Sequence, residues 1–216
     1  MLQGKKEPRE VDPHEGECGC PEQTLPLSLD AVVEDFLRRT RRILVVGEID
    51  DIAAAHICSY LQVFSITKEP IYMYINSPGG SLYAGYAIID QMLACCGPVV
   101  TIVRGTAHSM GAMIAAYGTK GHRFATPNSS LMLHSVTIHN QPCSLENHKK
   151  MFDYTQLDYE KKVTALARKM GIARKKLEGI MSETTWMQPK QAVKVGLIDG
   201  VWTAEKERAV TRSFMR

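Results

Sequence analysis

The sequence predicts an α/β fold with largely parallel strands, and three observations lead there. Short apolar runs rich in β-branched residues alternate with helical segments between residues 43 and 117. Glycine- and proline-bearing stretches punctuate them. After His134 the alternation stops and one long stretch of helical spacing follows. A strand followed by a helix and another strand builds a right-handed crossover, which returns the chain parallel to itself.

Residues 1–27 are rich in Pro, Glu, Gly and Lys, with little periodicity, and are expected to form a flexible N-terminal tail. Asp30 is expected to cap a helix carrying Val32, Val33, Phe36 and Leu37 on one side. Arg38 and Arg39 with Arg41 and Arg42 suit the end of that helix, where cations meet its carbonyls, better than a phosphate site. Strands are expected at 43–46, 71–75 and 99–103, and helices at 52–66, 82–93 and 109–117. The last helix is made of small residues, including Ala112, Ala115 and Ala116.

Ser144 is expected to cap the long helix, which should end before Gly171. Its apolar positions are Leu145, Phe152, Tyr159, Val163, Leu166 and Met170, a narrow stripe over about seven turns. That stripe fits an amphipathic helix folded back on its own domain, and equally a helix that reaches another subunit. The main domain is expected to span 28–203, with a C-terminal tail at 204–216.

The chain has 216 residues, 44% of them hydrophobic and 23% charged, which suits one soluble domain with a sizeable core. A net charge of +3 with scattered basic residues gives no footprint for nucleic acid. No apolar leader follows Met1. The uncharged stretch 70–89 is broken by Asn76, Pro78, Gly79 and Gly80, so no membrane helix is expected. A cytoplasmic location is the resulting expectation.

The six cysteines, Cys18, Cys20, Cys58, Cys95, Cys96 and Cys143, are then expected as free thiols. Cys18 and Cys20 beside His14 are spaced too closely for zinc, with no second ligand pair behind them. No metal and no cofactor are expected.

The residues that carry chemistry lie in three blocks. Asn76-Ser77-Pro78-Gly79-Gly80 is a turn able to present backbone N–H groups. Ser109, in Ala107-His108-Ser109-Met110-Gly111-Ala112, stands where a strand ends and a helix begins, close to unpaired N–H groups. By itself such a serine reads as a helix cap. The G-x-S-x-G elbow does not apply, because Ala107 occupies its first glycine position. His134 follows the apolar run Leu131-Met132-Leu133 and ends a short strand. A nucleophile, a base and an oxyanion site are the minimum for acyl transfer.

These blocks, with Lys120-Gly121-His122-Arg123-Phe124 and Pro127-Asn128-Ser129, resemble the ClpP family of self-compartmentalised serine proteases, on the ClpP/crotonase-like fold. The resemblance runs from about residue 43 to 202. It implies that Ser109 is the nucleophile, His134 the base, and the N–H groups of Gly80 and Met110 the oxyanion hole. Ser81 and Leu82 begin the segment that pairs with an extended peptide substrate. The long helix becomes a protruding handle by which two heptameric rings interlock. An AAA+ unfoldase is the implied feeder of unfolded proteins and peptides, although residues 1–40 lack the family's gate segment. His134-Ser135-Val136 stands where the family has His-Gln-Pro, and His108 where it has a small residue.

The third triad position departs from the family. Counting back from Gly196-Leu197-Ile198-Asp199, the family's Asp is replaced by Thr184, with Glu183 beside it as the alternative partner for His134. Asp199 itself reads as structural. The main expectation is therefore a ClpP-type serine peptidase in a double ring. A weakly active or inactive paralogue completing a mixed ring with another ClpP-like subunit is the alternative. A crotonase-type acyl-CoA enzyme is a third reading, which the Ser109–His134 pair and the long helix oppose.

Overall fold

The computed structural model describes residues 28–136 and 144–214. A seven-stranded sheet forms the centre. Strands β1 (Arg42–Ile49), β2 (Ile71–Gly80) and β3 (Val99–His108) run parallel, joined by α2 (Asp51–Phe64) and α3 (Leu82–Leu93). Helix α4 (Met110–Tyr117) follows β3, then β4 (Arg123–Ala125) and β5 (Ser130–Leu133). The chain closes with α5 (Leu145–Met170), α6 (Arg174–Ser182), β6 (Thr185–Met187), α7 (Pro189–Lys194), β7 (Gly200–Val201) and α8 (Ala204–Ser213). The α/β class and the parallel core are as the alternation predicts.

β3 is where the sheet forks. Its first half pairs with β4 through Thr101–Arg123 to Val103–Ala125, and its second half with β5 through Thr106–Ser130 to His108–Met132. Gly105, with φ +103°, lies between the halves, and Asn76 Oδ1 takes the Thr106 N–H just past it. The fork carries the end of β3 away from β4 and beside β5. β6 then pairs with β5 antiparallel.

Both faces of the central strands are buried, as parallel sheets require. Ile71, Met73 and Ile75 pack on the side of α2, α3 and α4, while Tyr74, Val100 and Ile102 face Trp202 and Val210 on the other. The segment at 204–216, expected as a tail, instead carries α8 across that second face. Glu207 anchors it, accepting from Tyr74 Oη at 3.0 Å, Trp202 Nε1 at 2.8 Å and Arg104 Nη2 at 2.8 Å. No periodic apolar stripe announced this helix, because its attachment is through polar groups.

Several local expectations are corrected. Ser28, not Asp30, caps α1 (Leu29–Arg39), its hydroxyl accepting from Ala31 N–H; Asp30 sits inside the first turn. β1, β2 and β3 all run past their expected ends. The Asn76–Gly80 block is the end of β2 rather than a turn. Gly79 and Gly80 keep to the ladder with Glu48 and Ile49 by adopting φ of +105° and +150°, across a bulge. The N-terminal stretch, with Cys18, Cys20 and His14, and Cys143 lie outside the described residues.

The domain's far end is locked by an ion pair. Arg123 is fully buried and grips Asp199 at 2.8 Å (Nε–Oδ2) and 2.6 Å (Nη2–Oδ1). Gly121 N–H adds a bond at 2.8 Å. Burial alone would push the Asp199 carboxyl up, but these bonds and the Arg123 charge outweigh it and hold it below its ordinary value. A carboxyl lowered on folding contributes stability above its unfolded value and loses it as pH falls through the folded value. Acid should therefore weaken the fold only below about pH 4 through this group. Asp199→Asn leaves Arg123 buried without its countercharge and should cost about 3–5 kcal/mol, read by urea unfolding.

Candidate active site

The forked sheet brings the two principal residues together. β5 lies beside the end of β3, so the residue after each strand, Ser109 and His134, meet at the same rim. Ser109 N–H donates to Met132 O at 2.9 Å, tying the two strands there. His134 Nε2 and Ser109 Oγ are 2.8 Å apart. Their separation of 25 residues in sequence is closed by the pairing of β3 with β5.

Ser109 occupies the cap position of α4 but makes no side-chain capping bond. Its oxygen is given to His134 instead, so the simple capping role is not what the hydroxyl performs. The backbone is strained: φ 53° and ψ −120° at a non-glycine residue. Such a conformation costs about 1–3 kcal/mol and is held only by firm surroundings. Here the Met132 bond precedes it, and Ser109 O accepts from Ala112 and Met113 N–H behind it. The sharp turn thus resembles a serine elbow in shape although the sequence lacks that motif.

Gly79 shows why small residues are needed beside it. A Cβ there would stand 2.8 Å from Ser109 Cβ and 3.1 Å from Met110 N. At Gly80 a Cβ would collide with the Ile49 backbone. Met110 N–H, the first of α4, finds no acceptor among the described residues and lies at the positive end of the helix. Gly79 N–H, by contrast, is taken by Ser77 Oγ at 3.1 Å.

These groups open onto a cavity of about 540 Å³. Gly80, Ser81 and Leu82 line it with Ser109, Met110 and His134. Met113, Leu133, Val136, Val163, Leu166 and Met181 make the walls apolar; Glu48, Lys162 and Tyr86 add polar groups. Lys162 is paired with Asp158 at 2.6 Å and stands over the Tyr86 ring at 4.3 Å. Helical spacing marks Val163 and Leu166 as the apolar stripe of α5, but nothing local shows that these residues line one cavity, because the lining comes from β1, α3, α4, β5, α5 and α6, which only the packing assembles.

Thr184 and Glu183 are not joined to His134. The β5–β6 ladder ends at Leu133–Thr185, and His134 and Thr184 are the next residue on each side. Both candidates are exposed, and no hydrogen bond links either to the imidazole among the described residues. Thr184 has φ 50°, a left-handed conformation that a β-branched residue rarely takes. His108 is engaged with other partners. Its Nε2 is 3.3 Å from Ser130 Oγ, and its ring meets Trp186 edge-on at 4.6 Å. Burial pulls its imidazole below the usual value.

Comparison with known proteins agrees with this geometry. The family model described as "Clp protease" matches residues 29–205. An ATP-dependent Clp protease proteolytic subunit of Leuconostoc citreum is 37% identical over 186 residues, covering 82% of this chain and 90% of its own. ATP-dependent Clp protease proteolytic subunit 1 of Chlamydia muridarum is 31% identical over 187 residues, covering 84% of this chain and 96% of its own. With a match across nearly the whole described region, and the expected serine and histidine at one strand rim, the chain belongs to the Clp protease family.

Proposed function

We propose that this chain is a serine endopeptidase subunit that cleaves unfolded polypeptides and short peptides. The single observation that carries this is the 2.8 Å contact between Ser109 Oγ and His134 Nε2 at the mouth of the apolar cavity. Ser109 Oγ attacks the peptide carbonyl carbon as His134 takes its proton. The carbonyl oxygen, now an anion, is received by the N–H groups of Met110 and Gly80. Collapse of the intermediate breaks the C–N bond, and His134 returns the proton to the leaving amine. Water then repeats the sequence on the acyl-enzyme. Ser81 and Leu82 hold the substrate as an added strand, so affinity comes from backbone bonds and demands little of its sequence. A fluorophosphonate probe followed by peptide mapping tests the reading: the label belongs on Ser109, and a label elsewhere overturns it.

Assembly is part of the proposal. The second half of α5 buries Val163, Leu166, Ala167 and Met170 in its own domain. The first half leaves Leu145, Phe152, Tyr154 and Leu157 more than half exposed. Four large exposed apolar side chains on one helix half call for a partner, and the first half of α5 serves as the handle between two stacked heptamers in a cytoplasmic enzyme. Native mass should be a multiple of seven subunits. Phe152→Glu with Leu157→Glu should halve the particle to single rings; an unchanged mass would remove α5 from the contact. An AAA+ unfoldase as feeder is consistent with the relatives' "ATP-dependent" naming.

A second reading has its own support: no carboxylate is bonded to His134 among the described residues. On this reading the chain turns over slowly and completes a mixed ring with a fully equipped Clp-type subunit.

A further inference from the structure

The cavity behind the proteolytic site, between the end of α4 and the last turn of α5, has a composition that peptide hydrolysis does not use. Its volume is about 440 Å³, and Tyr117, Lys120, Arg168 and Lys169 line it. Three cationic side chains therefore converge from two separate parts of the chain. Arg168 and Lys169 have no ion-pair partner among the described residues. Lys120 is 3.7 Å from Asp199, but that carboxylate is already held on both oxygens by Arg123. Lys120 and Arg123 thus share one carboxylate, while Arg168 and Lys169 bring two further cationic groups to the same cavity.

Two cations in the last turn of a helix are expected from its dipole. Lys120 is not explained this way, since it comes from the turn after α4. Nor is the placement of Lys169, which is half-buried over the Tyr117 ring at 5.9 Å from its centre. Burial first, then the Arg123 and Lys120 charges, hold the Lys169 ammonium below its ordinary value. Lys120 and Arg168 are exposed and Lys169 is half-buried, and like charges gathered along one cavity are a cost that a bound anion removes.

We propose that this cavity binds a small inorganic oligophosphate. A guanidinium fork offers paired N–H donors to two oxygens, while the two ammonium groups act as point charges from other directions. A tetrahedral oxyanion with acceptors on several sides meets all three at once, whereas a planar carboxylate meets the fork alone. The proposal is independent of the peptidase reading, because no lining residue is shared with the Ser109 cavity.

Isothermal titration of the full chain with tripolyphosphate, at fixed ionic strength, is the test. One saturable site per subunit is expected. Lys169→Gln and Arg168→Gln should each weaken it by about tenfold or more, the loss of one charge-assisted contact. Lys150→Gln, on the first turns of α5 outside the cavity, should leave it unchanged, with circular dichroism confirming that every variant is folded. Citrate, a trianion with its charge on planar groups, should bind at least tenfold more weakly. ATP distinguishes the source of the phosphates: weaker binding than tripolyphosphate is expected, and tighter binding would make a nucleotide the ligand and overturn the inorganic assignment. Absence of a saturable site, equal effects of Lys150→Gln, or equal affinity for citrate would each overturn the proposal.

Discussion

Ser109→Ala should abolish both fluorophosphonate labelling and hydrolysis of a fluorogenic peptide. Removing the nucleophile from a complete serine triad costs about 10⁶ in kcat, and what survives comes from the oxyanion site and binding. The loss here should be smaller, about 10²–10⁴, because the wild-type site starts without a carboxylate bonded to His134. Stability should change little. Ser109 holds φ 53° whichever side chain it carries, and alanine cannot bond His134, so the variant should unfold at equal or slightly lower urea. A folded Ser109→Ala that hydrolyses peptide at the wild-type rate would end the serine-protease reading. His134→Ala should reduce turnover by a similar factor, since residues acting as a unit do not add.

Thr184→Asp should gain activity rather than lose it. A carboxylate bonded to the imidazole stabilises the positive charge that develops on His134 and fixes its tautomer. A hydrogen bond to a charged group contributes about 1.5–3 kcal/mol, which converts to a rate gain of roughly 10- to 100-fold. Position 184 is suited to the change in two ways. It immediately precedes β6, where continuing the ladder past Leu133–Thr185 would set it across from His134. It also holds φ 50°, where Asp and Asn are far more at home than threonine. Thr184→Asp and Thr184→Asn should both raise the unfolding midpoint, but only Asp should raise kcat. The Asp variant should also shift the acid limb of its pH profile upward, because a carboxylate beside His134 favours the imidazolium.

The competing partner is Glu183. If that carboxylate swings to His134 when substrate binds, Glu183→Gln should remove most activity and Thr184→Asp should do little. Measuring kcat for both variants under one condition separates the two. No change in either would place the third group elsewhere in the site and make Thr184 a purely conformational residue.

What was legible in the sequence follows from what is local. The alternation of β-branched runs with helices determined the α/β class, since each crossover is settled by its own few dozen residues. Ser144 caps α5 as its position predicts, and Gly171 ends α5 in the left-handed conformation that glycine allows. Family-ordered blocks named Ser109 and His134. The sequence could not show the fork in β3, which alone decides that these two residues meet, because strand pairing joins segments 25 residues apart with no local mark. Nor could it show the strain at Ser109 and Thr184, since positive φ at a non-glycine residue is imposed by neighbours rather than chosen by the residue. The docking of α8 was equally hidden: Glu207 meets Tyr74 of β2, Arg104 of β3 and Trp202 just after β7. Propensity and spacing act along the chain, whereas catalytic contact and buried charge pairing act across it, and only packing brings those partners within bonding distance.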